Sequence, residues 1–173
     1  MRRLPRPVGQ VVGVDISRDQ LRVAQARTRN LVLASARAVP FPDASFPTVV
    51  CTYLHTDTDD IVPVFAEAHR VLKAWGMFVY LGVHPCFWGH FVENSHPPVR
   101  VIHPGYLETG WIDSPHWRNP EGLRAKVGAR HVTMSELINA VVAAGLRITR
   151  LEEPASQSGH ADRIAIVSTR ADV

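Results

Sequence analysis

The order of signals between Val11 and Tyr80 constrains this chain more than any other feature. Gly9 to Ile16 is a short continuous apolar run closing near an acid, Asp15, as in a strand buried on both faces of a parallel sheet. Ser17-x-x-Gln20 is a capping box, and Leu21, Ala24 and Thr28 share one face of the helix it opens. Asn30 to Ala36 reads as a second strand. Pro40-Phe41-Pro42-Asp43-Ala44-Ser45-Phe46 carries two prolines and cannot be regular structure. Thr48 to Leu54, β-branched and aromatic, is a third strand. Asp57 to Asp60 then offer acidic caps to a helix in which Ile61, Phe65, Ala68, Val71 and Leu72 recur at helical spacing. Pro63 falls in its first turn, where a missing N–H costs little. Gly76 is expected to close that helix, and Met77 to Val83 to form a fourth strand.

From His84 to Arg130 the period is lost. Prolines, glycines and three of the four tryptophans crowd this stretch, which has the length of a lid or binding loop. Thr133-x-x-Glu136 starts another capped helix, with Leu137, Ile138, Val141 and Val142 apolar and Gly145 at C′. Leu146 to Leu151 and Arg163 to Thr169 are the last two strands. The alternation predicts an α/β fold, Rossmann-like and truncated: a mostly parallel sheet with a C-terminal antiparallel strand and helices on both faces. A length of 173 residues predicts one domain over 1–173, with an irregular arm at 1–10 and a long lid at 84–131.

Composition removes several classes. No apolar run approaches the roughly 20 residues that cross a bilayer, and no hydrophobic segment follows the basic start to make a secretory signal. Two cysteines, Cys51 and Cys86, are no disulfide framework, so a reducing cytoplasmic location is expected. The net charge of +3 comes from arginines scattered along the chain without a stripe, so neither a nucleic-acid nor a membrane partner is expected.

The Pro40–Phe46 loop and the stretch Ala66-Glu67-Ala68-His69-Arg70-Val71-Leu72-Lys73 leading to Gly76 resemble class I S-adenosylmethionine-dependent methyltransferases of the small-molecule type. The resemblance covers roughly Val11 to Arg170. It implies S-adenosylmethionine as cofactor. Asp15 matches the acid that accepts hydrogen bonds from both ribose hydroxyls, a task requiring a carboxylate at the carboxyl end of a parallel strand. Capping of the next helix is the plainer role for the same side chain. Ile16, Ser35, Ala36, Leu54 and His55 would complete the cofactor side. The segments His84-Pro85-Cys86-Phe87 and Gly122 to His131 look like a subgroup acting on small molecules. His84 and His131 border the lid and are the candidate general bases.

Some positions depart from the family. Ser35 stands where an acid is usual, Pro47 replaces another acid, and Lys73-Ala74-Trp75-Gly76 replaces a Lys/Arg-Pro-Gly-Gly turn. A first strand with its glycine-rich loop is not found ahead of Asp15, and Pro5 and Pro7 would each delete a ladder donor in a central strand. Three arrangements answer this: direct pairing of the strands ending at Asp15 and Leu54, a second copy in a homodimer, or a longer natural chain. Direct pairing or dimerisation is the expectation.

Nine histidines invite a metal, but no C-x-x-C or H-E-x-x-H spacing occurs and none is expected. Phe87, Trp88, Phe91, Tyr106, Trp111 and Trp117 either pack the lid or form an apolar acceptor pocket around the transferring methyl group. Two functions stay open. One is methyl transfer to a small-molecule acceptor, weakened if the donor loop is missing; the other is a non-catalytic methyltransferase-like binding or dimerisation protein.

Overall fold

The computed structural model describes residues 11–96, 99–113, 123–154 and 159–171; the expected arm at 1–10 lies outside them. The chain divides into two compact units, Met1–Phe41 and Pro42–Val173. Each unit is described by itself.

In the first unit β1 (Gly13–Asp15) pairs in parallel with β2 (Leu31–Leu33), Asp15 standing opposite Leu33. Helix α1 (Arg18–Ala24) connects them, and the Ser17 hydroxyl accepts the Gln20 N–H at 3.3 Å. Half of the expected capping box is thus formed, two residues after the acidic strand end; the Ser17 N–H goes to Asp15 and not to Gln20.

In the second unit β3 (Phe46–Thr52) leads through a 3₁₀ turn (His55–Asp57) into α2 (Val62–Val71), then β4 (Leu72–Val83). The strands β9 (Leu146–Glu152) and β10 (Arg163–Arg170) complete a four-stranded sheet in the order β3-β4-β10-β9. β3 is parallel to β4, and β10 is antiparallel to both β4 and β9. Three strands therefore run one way and β10 runs against them. The β1–β2 ladder is a separate sheet, and the expected direct pairing of the strands ending at Asp15 and Leu54 is not among the ladders of the described residues.

The core lies where α2 and α4 (Met134–Ala143) meet over this sheet. Alternation along β4 and β10 sends Phe78, Tyr80, Ile164 and Ile166 to that face, all fully buried. Phe65 of α2 meets Phe78 and Tyr80 edge-on at 5.3 and 5.5 Å between ring centroids. Each such side chain contributes about 1.5–3 kcal/mol on burial. The α4 capping box is complete: Thr133 Oγ1 accepts the Glu136 N–H at 3.2 Å, and Glu136 Oε2 accepts the Thr133 N–H at 2.7 Å.

Two expectations are corrected. Gly76 does not close α2. The helix stops at Val71 because Leu72 turns extended, at ψ 139, and the Arg170 guanidinium donates to the carbonyls of His69, Arg70 and Leu72. A side chain about a hundred residues away thus satisfies helix-end acceptors that a glycine turn would otherwise handle. Gly76 instead lies in the irregular start of β4, where a Cβ would come within 2.7 Å of the Lys73 carbonyl and 3.2 Å of the Pro47 carbonyl. The lid is also not irregular throughout. It contains β5 (Val92–His96), β6 (Val99–Ile102), β7 (Gly110–Ile112), α3 (Leu123–Val127) and β8 (Ala129–His131). The pairs β5–β6 and β7–β8 are short antiparallel ladders, too brief for a periodic signal.

Candidate active site

In the smaller unit the parallel pairing aligns the carboxyl ends of β1 and β2. The Asp15 carbonyl accepts the Ala34 N–H at 3.1 Å, so Asp15 and Ile16 stand beside Ser35 and Ala36. Asp15 Oδ1 accepts the Ser17 N–H at 2.7 Å; its Oδ2 has no hydrogen-bond partner among the described residues. The carboxylate therefore orders the entry to α1 and keeps one oxygen for a further donor. Ser35 Oγ accepts the Arg37 N–H at 3.2 Å, and Ile16 is exposed. An acid and a hydroxyl at adjacent parallel strand ends fit a vicinal diol and a neighbouring polar ring.

In the larger unit a small cleft with room for about one water molecule is lined by His55, Trp88, Gly89, His90, Ile112, Ala129, Arg130 and His131. The segment after β3 delivers His55. Tyr53 takes a left-handed backbone, φ +55, uncommon for an aromatic residue, and its N–H donates to the Leu81 carbonyl at 2.7 Å. Leu54, half-buried, caps the 3₁₀ turn, and His55 follows, buried.

His55 Nδ1 is hydrogen-bonded to the phenol of Tyr80, which is wholly buried in β4. Room for that hydroxyl comes from Gly82: a Cβ there would lie 2.0 Å from Tyr80 Oη. Burial lowers the His55 pKa to about 4, with the nearby His131 adding to the effect, so the ring is neutral at pH 7. Burial likewise raises the Tyr80 phenol, so it keeps its proton.

Next to His55, Arg124 of α3 forms a two-pronged pair with Asp57, Nη2 to Oδ2 at 2.8 Å and Nη1 to Oδ1. Burial pushes the Asp57 carboxyl up, but hydrogen bonding and charge from Arg124 outweigh it and hold the carboxyl below its ordinary value. The lid helix is thereby tied to the turn that carries His55.

β8 delivers His131. Its Nε2–H donates to the Tyr106 carbonyl at 2.8 Å, and its ring packs on Phe91, His90 and Tyr106 at 5.0, 5.7 and 5.8 Å. Burial lowers the His131 pKa, partly offset by the Tyr106 hydrogen bond and reinforced by His90. Tyr106 is itself anchored: its hydroxyl accepts the Met134 N–H at 2.8 Å, one of the unpaired donors at the start of α4. Both ring nitrogens of His90 are buried without a hydrogen bond among the described residues; Glu108 Oε2 approaches Nε2 at 3.7 Å.

His84 is placed differently. Its Nδ1 accepts the Cys86 N–H at 3.1 Å and its Nε2 contacts Glu153 Oε1 at 2.7 Å. Both ring nitrogens are engaged, and the ring is not part of the cleft wall. Among the aromatic lid residues, Trp88 lines the cleft, Phe91 is buried against His131, and Trp117 lies outside the described residues. Among the described residues no group of three His, Cys, Asp or Glu side chains gathers as a metal-binding set, and both cysteines are free thiols.

The cleft brings His55, expected on the cofactor side, next to His131, expected as a general base; the sequence reading does not single out Tyr80, His90, Asp57 or Arg124 for it. Tyr80 sits at an apolar strand position, and nothing local separates it from core. The Tyr-x-Gly spacing is the one signal that points to its hydroxyl.

A methyltransferase domain family matches residues 1–80. Demethylmenaquinone methyltransferase of Staphylococcus carnosus is 33% identical over 105 residues, covering 58% of this chain and 39% of that protein. The enzyme of the same name from Lysinibacillus sphaericus is 33% identical over 143 residues, covering 72% and 61%. The chain thus spans 39% to 61% of the length of these two curated relatives. Among solved structures, a putative S-adenosylmethionine-dependent methyltransferase from Listeria monocytogenes superposes with TM-score 0.73 at 17% identity, covering 94% of this chain and 81% of that one. One from Mesorhizobium loti also reaches 0.73, at 21% identity and 92% and 79% coverage. Fold, relatives and the aspartate closing β1 agree in supporting a class I S-adenosylmethionine-dependent methyltransferase.

Proposed function

We propose that this chain methylates a small hydroxylated aromatic acceptor of the quinol kind, a reading supported by its similarity to demethylmenaquinone methyltransferases. The observation that carries the reading is the small cleft where His131 meets His55, the His131 Nδ1 having no hydrogen-bond partner among the described residues. With Nε2–H given to the Tyr106 carbonyl, Nδ1 is a lone pair on a neutral ring, able to take a proton from an acceptor hydroxyl. His84 serves as a positioning residue, since Cys86 and Glu153 occupy both of its nitrogens.

Asp15, Ile16, Ser35 and Ala36 hold the nucleoside of S-adenosylmethionine, with the Asp15 oxygen that is unpaired among the described residues as the ribose acceptor. Bound there, S-adenosylmethionine supplies an electrophilic methyl group on a sulfonium. The chain's own work is positioning, water exclusion and removal of one hydroxyl proton. The same reading includes a cytoplasmic homodimer without nucleic-acid or membrane partners; among the described residues no helix is long and apolar enough to cross a membrane. A second reading, a non-catalytic binding or dimerisation protein, draws on Ser35, which offers the adenine side a hydroxyl without charge.

Calorimetric titration with S-adenosylmethionine and its demethylated product separates the two. Affinity tighter than roughly 100 µM, equivalent to about 5.5 kcal/mol, with labelled methyl appearing on 1,4-dihydroxynaphthalene kept reduced, is the expected result. A flat trace at high protein concentration refutes the enzymatic reading.

A further inference from the structure

The two edges of the four-stranded sheet are built differently. β9 carries Arg147, Arg150 and Glu152, all exposed, and its register against β10 shifts between Val167 and Ser168. Charges and broken register are how an open edge avoids pairing with another chain. β3, at the opposite edge, has neither over Thr48 to Thr52. Its register with β4 is continuous there, and Ala44 to Thr56 holds no Asp, Glu, Lys or Arg. The Tyr53 N–H donates to the Leu81 carbonyl of β4, so the Thr52 carbonyl, on the far side of the same planar peptide, points away from β4. Alternation along the strand turns the N–H and C=O groups of Thr48, Val50 and Thr52 the same way. These groups have no hydrogen-bond partner among the described residues. The three side chains are exposed, Val50 by 60%.

What fits this edge is the strand itself. Reversed about Val50, the run Thr48-Val49-Val50-Cys51-Thr52 sets Thr against Thr and Val against Val, with Val49 against the similar-sized Cys51. A two-fold contact demands such self-complementarity, and an uncharged strand meets its own copy without repulsion. We infer that the free edge of β3 is a dimer interface, pairing antiparallel with β3 of a second copy about a two-fold axis at Val50. This names the contact surface of the homodimer proposed above and rests on that reading. The two Val50 residues exchange both backbone hydrogen bonds, and each Thr48 does the same with the partner's Thr52, about six bonds in all. Two four-stranded sheets thereby become one, and the uncharged edges are no longer open.

The test uses the whole chain. Sedimentation equilibrium is expected to give a dimer, with the Thr48, Val50 and Thr52 amides protected from hydrogen exchange. Val50→Lys sets two like charges face to face on the axis and should weaken the dimer about tenfold or more. In a Cys51→Ser, Cys86→Ser background, Val50→Cys brings two thiols within disulfide reach, since Cα atoms of hydrogen-bonded pairs stand about 5.5 Å apart. Mild oxidation should crosslink this variant and not Val49→Cys, which faces position 51. The crosslink decides the matter if the lysine variant fails to fold. A monomeric chain overturns the homodimer and this inference together, and protected edge amides in that monomer mean that another segment of the same chain covers β3. A dimer that Val50→Lys weakens less than about twofold, or that crosslinks no better through position 50 than through 49, overturns this inference alone.

Discussion

Gly82→Ala is the sharpest perturbation of the cleft, because it adds one methyl group at the place with least room. The new Cβ would lie 2.0 Å from Tyr80 Oη, 2.6 Å from Cζ and 3.0 Å from Cε1. The ring cannot simply swing aside, since Phe65 packs on it at 5.5 Å and no part of Tyr80 is exposed. Overpacking of this kind costs about 1–3 kcal/mol. Displacing the phenol also breaks its bond to His55, orphaning buried polar groups for about 1–3 kcal/mol more. The sum, about 2–6 kcal/mol, is a large share of the roughly 5–15 kcal/mol that stabilises a domain. Urea unfolding of Gly82→Ala, Tyr80→Phe and the double variant measures it. In the Tyr80→Phe background the closest contact and the hydrogen bond are already gone, so Gly82→Ala should cost about 1–2 kcal/mol less there. A Gly82→Ala cost below about 0.5 kcal/mol, or an equal cost in both backgrounds, refutes the reasoning.

Two further outcomes follow from the same geometry. Burial lowers His55 from 6.5 to about 4, so between these values the unfolded chain holds a proton that the folded one does not. Its contribution to stability is complete above about pH 6.5 and falls away toward pH 4, by on the order of 3 kcal/mol. Unfolding free energies at pH 7.5, 5.5 and 4.5 should trace that decline. His55→Gln, which retains an acceptor for Tyr80, should remove about one proton from the slope; an unchanged slope contradicts the assignment. At the other unit, Asp15→Asn retains an oxygen for the Ser17 N–H but loses the charge. Affinity for S-adenosylmethionine by calorimetry should fall about tenfold, the difference between a charged and a neutral acceptor. A change below twofold removes Asp15 from the ribose role.

What a chain can determine by itself is what neighbours in sequence can do to one another. The acidic end of β1, the Ser17 and Thr133 caps and the glycine after α4 are all settled within four or five residues, and each was legible as written. The end of α2 was not, because its last carbonyls are satisfied by Arg170 from the far end of the chain, and Gly76 answers to the approach of another strand. The cleft belongs wholly to this second kind. His55 and Tyr80 are 25 positions apart, Tyr106 and His131 also 25, and Asp57 and Arg124 67. Residue types announce which groups can titrate. Which nitrogen keeps its proton depends on what is buried behind it, and only the folded chain places a phenol behind one imidazole and a carbonyl behind the other.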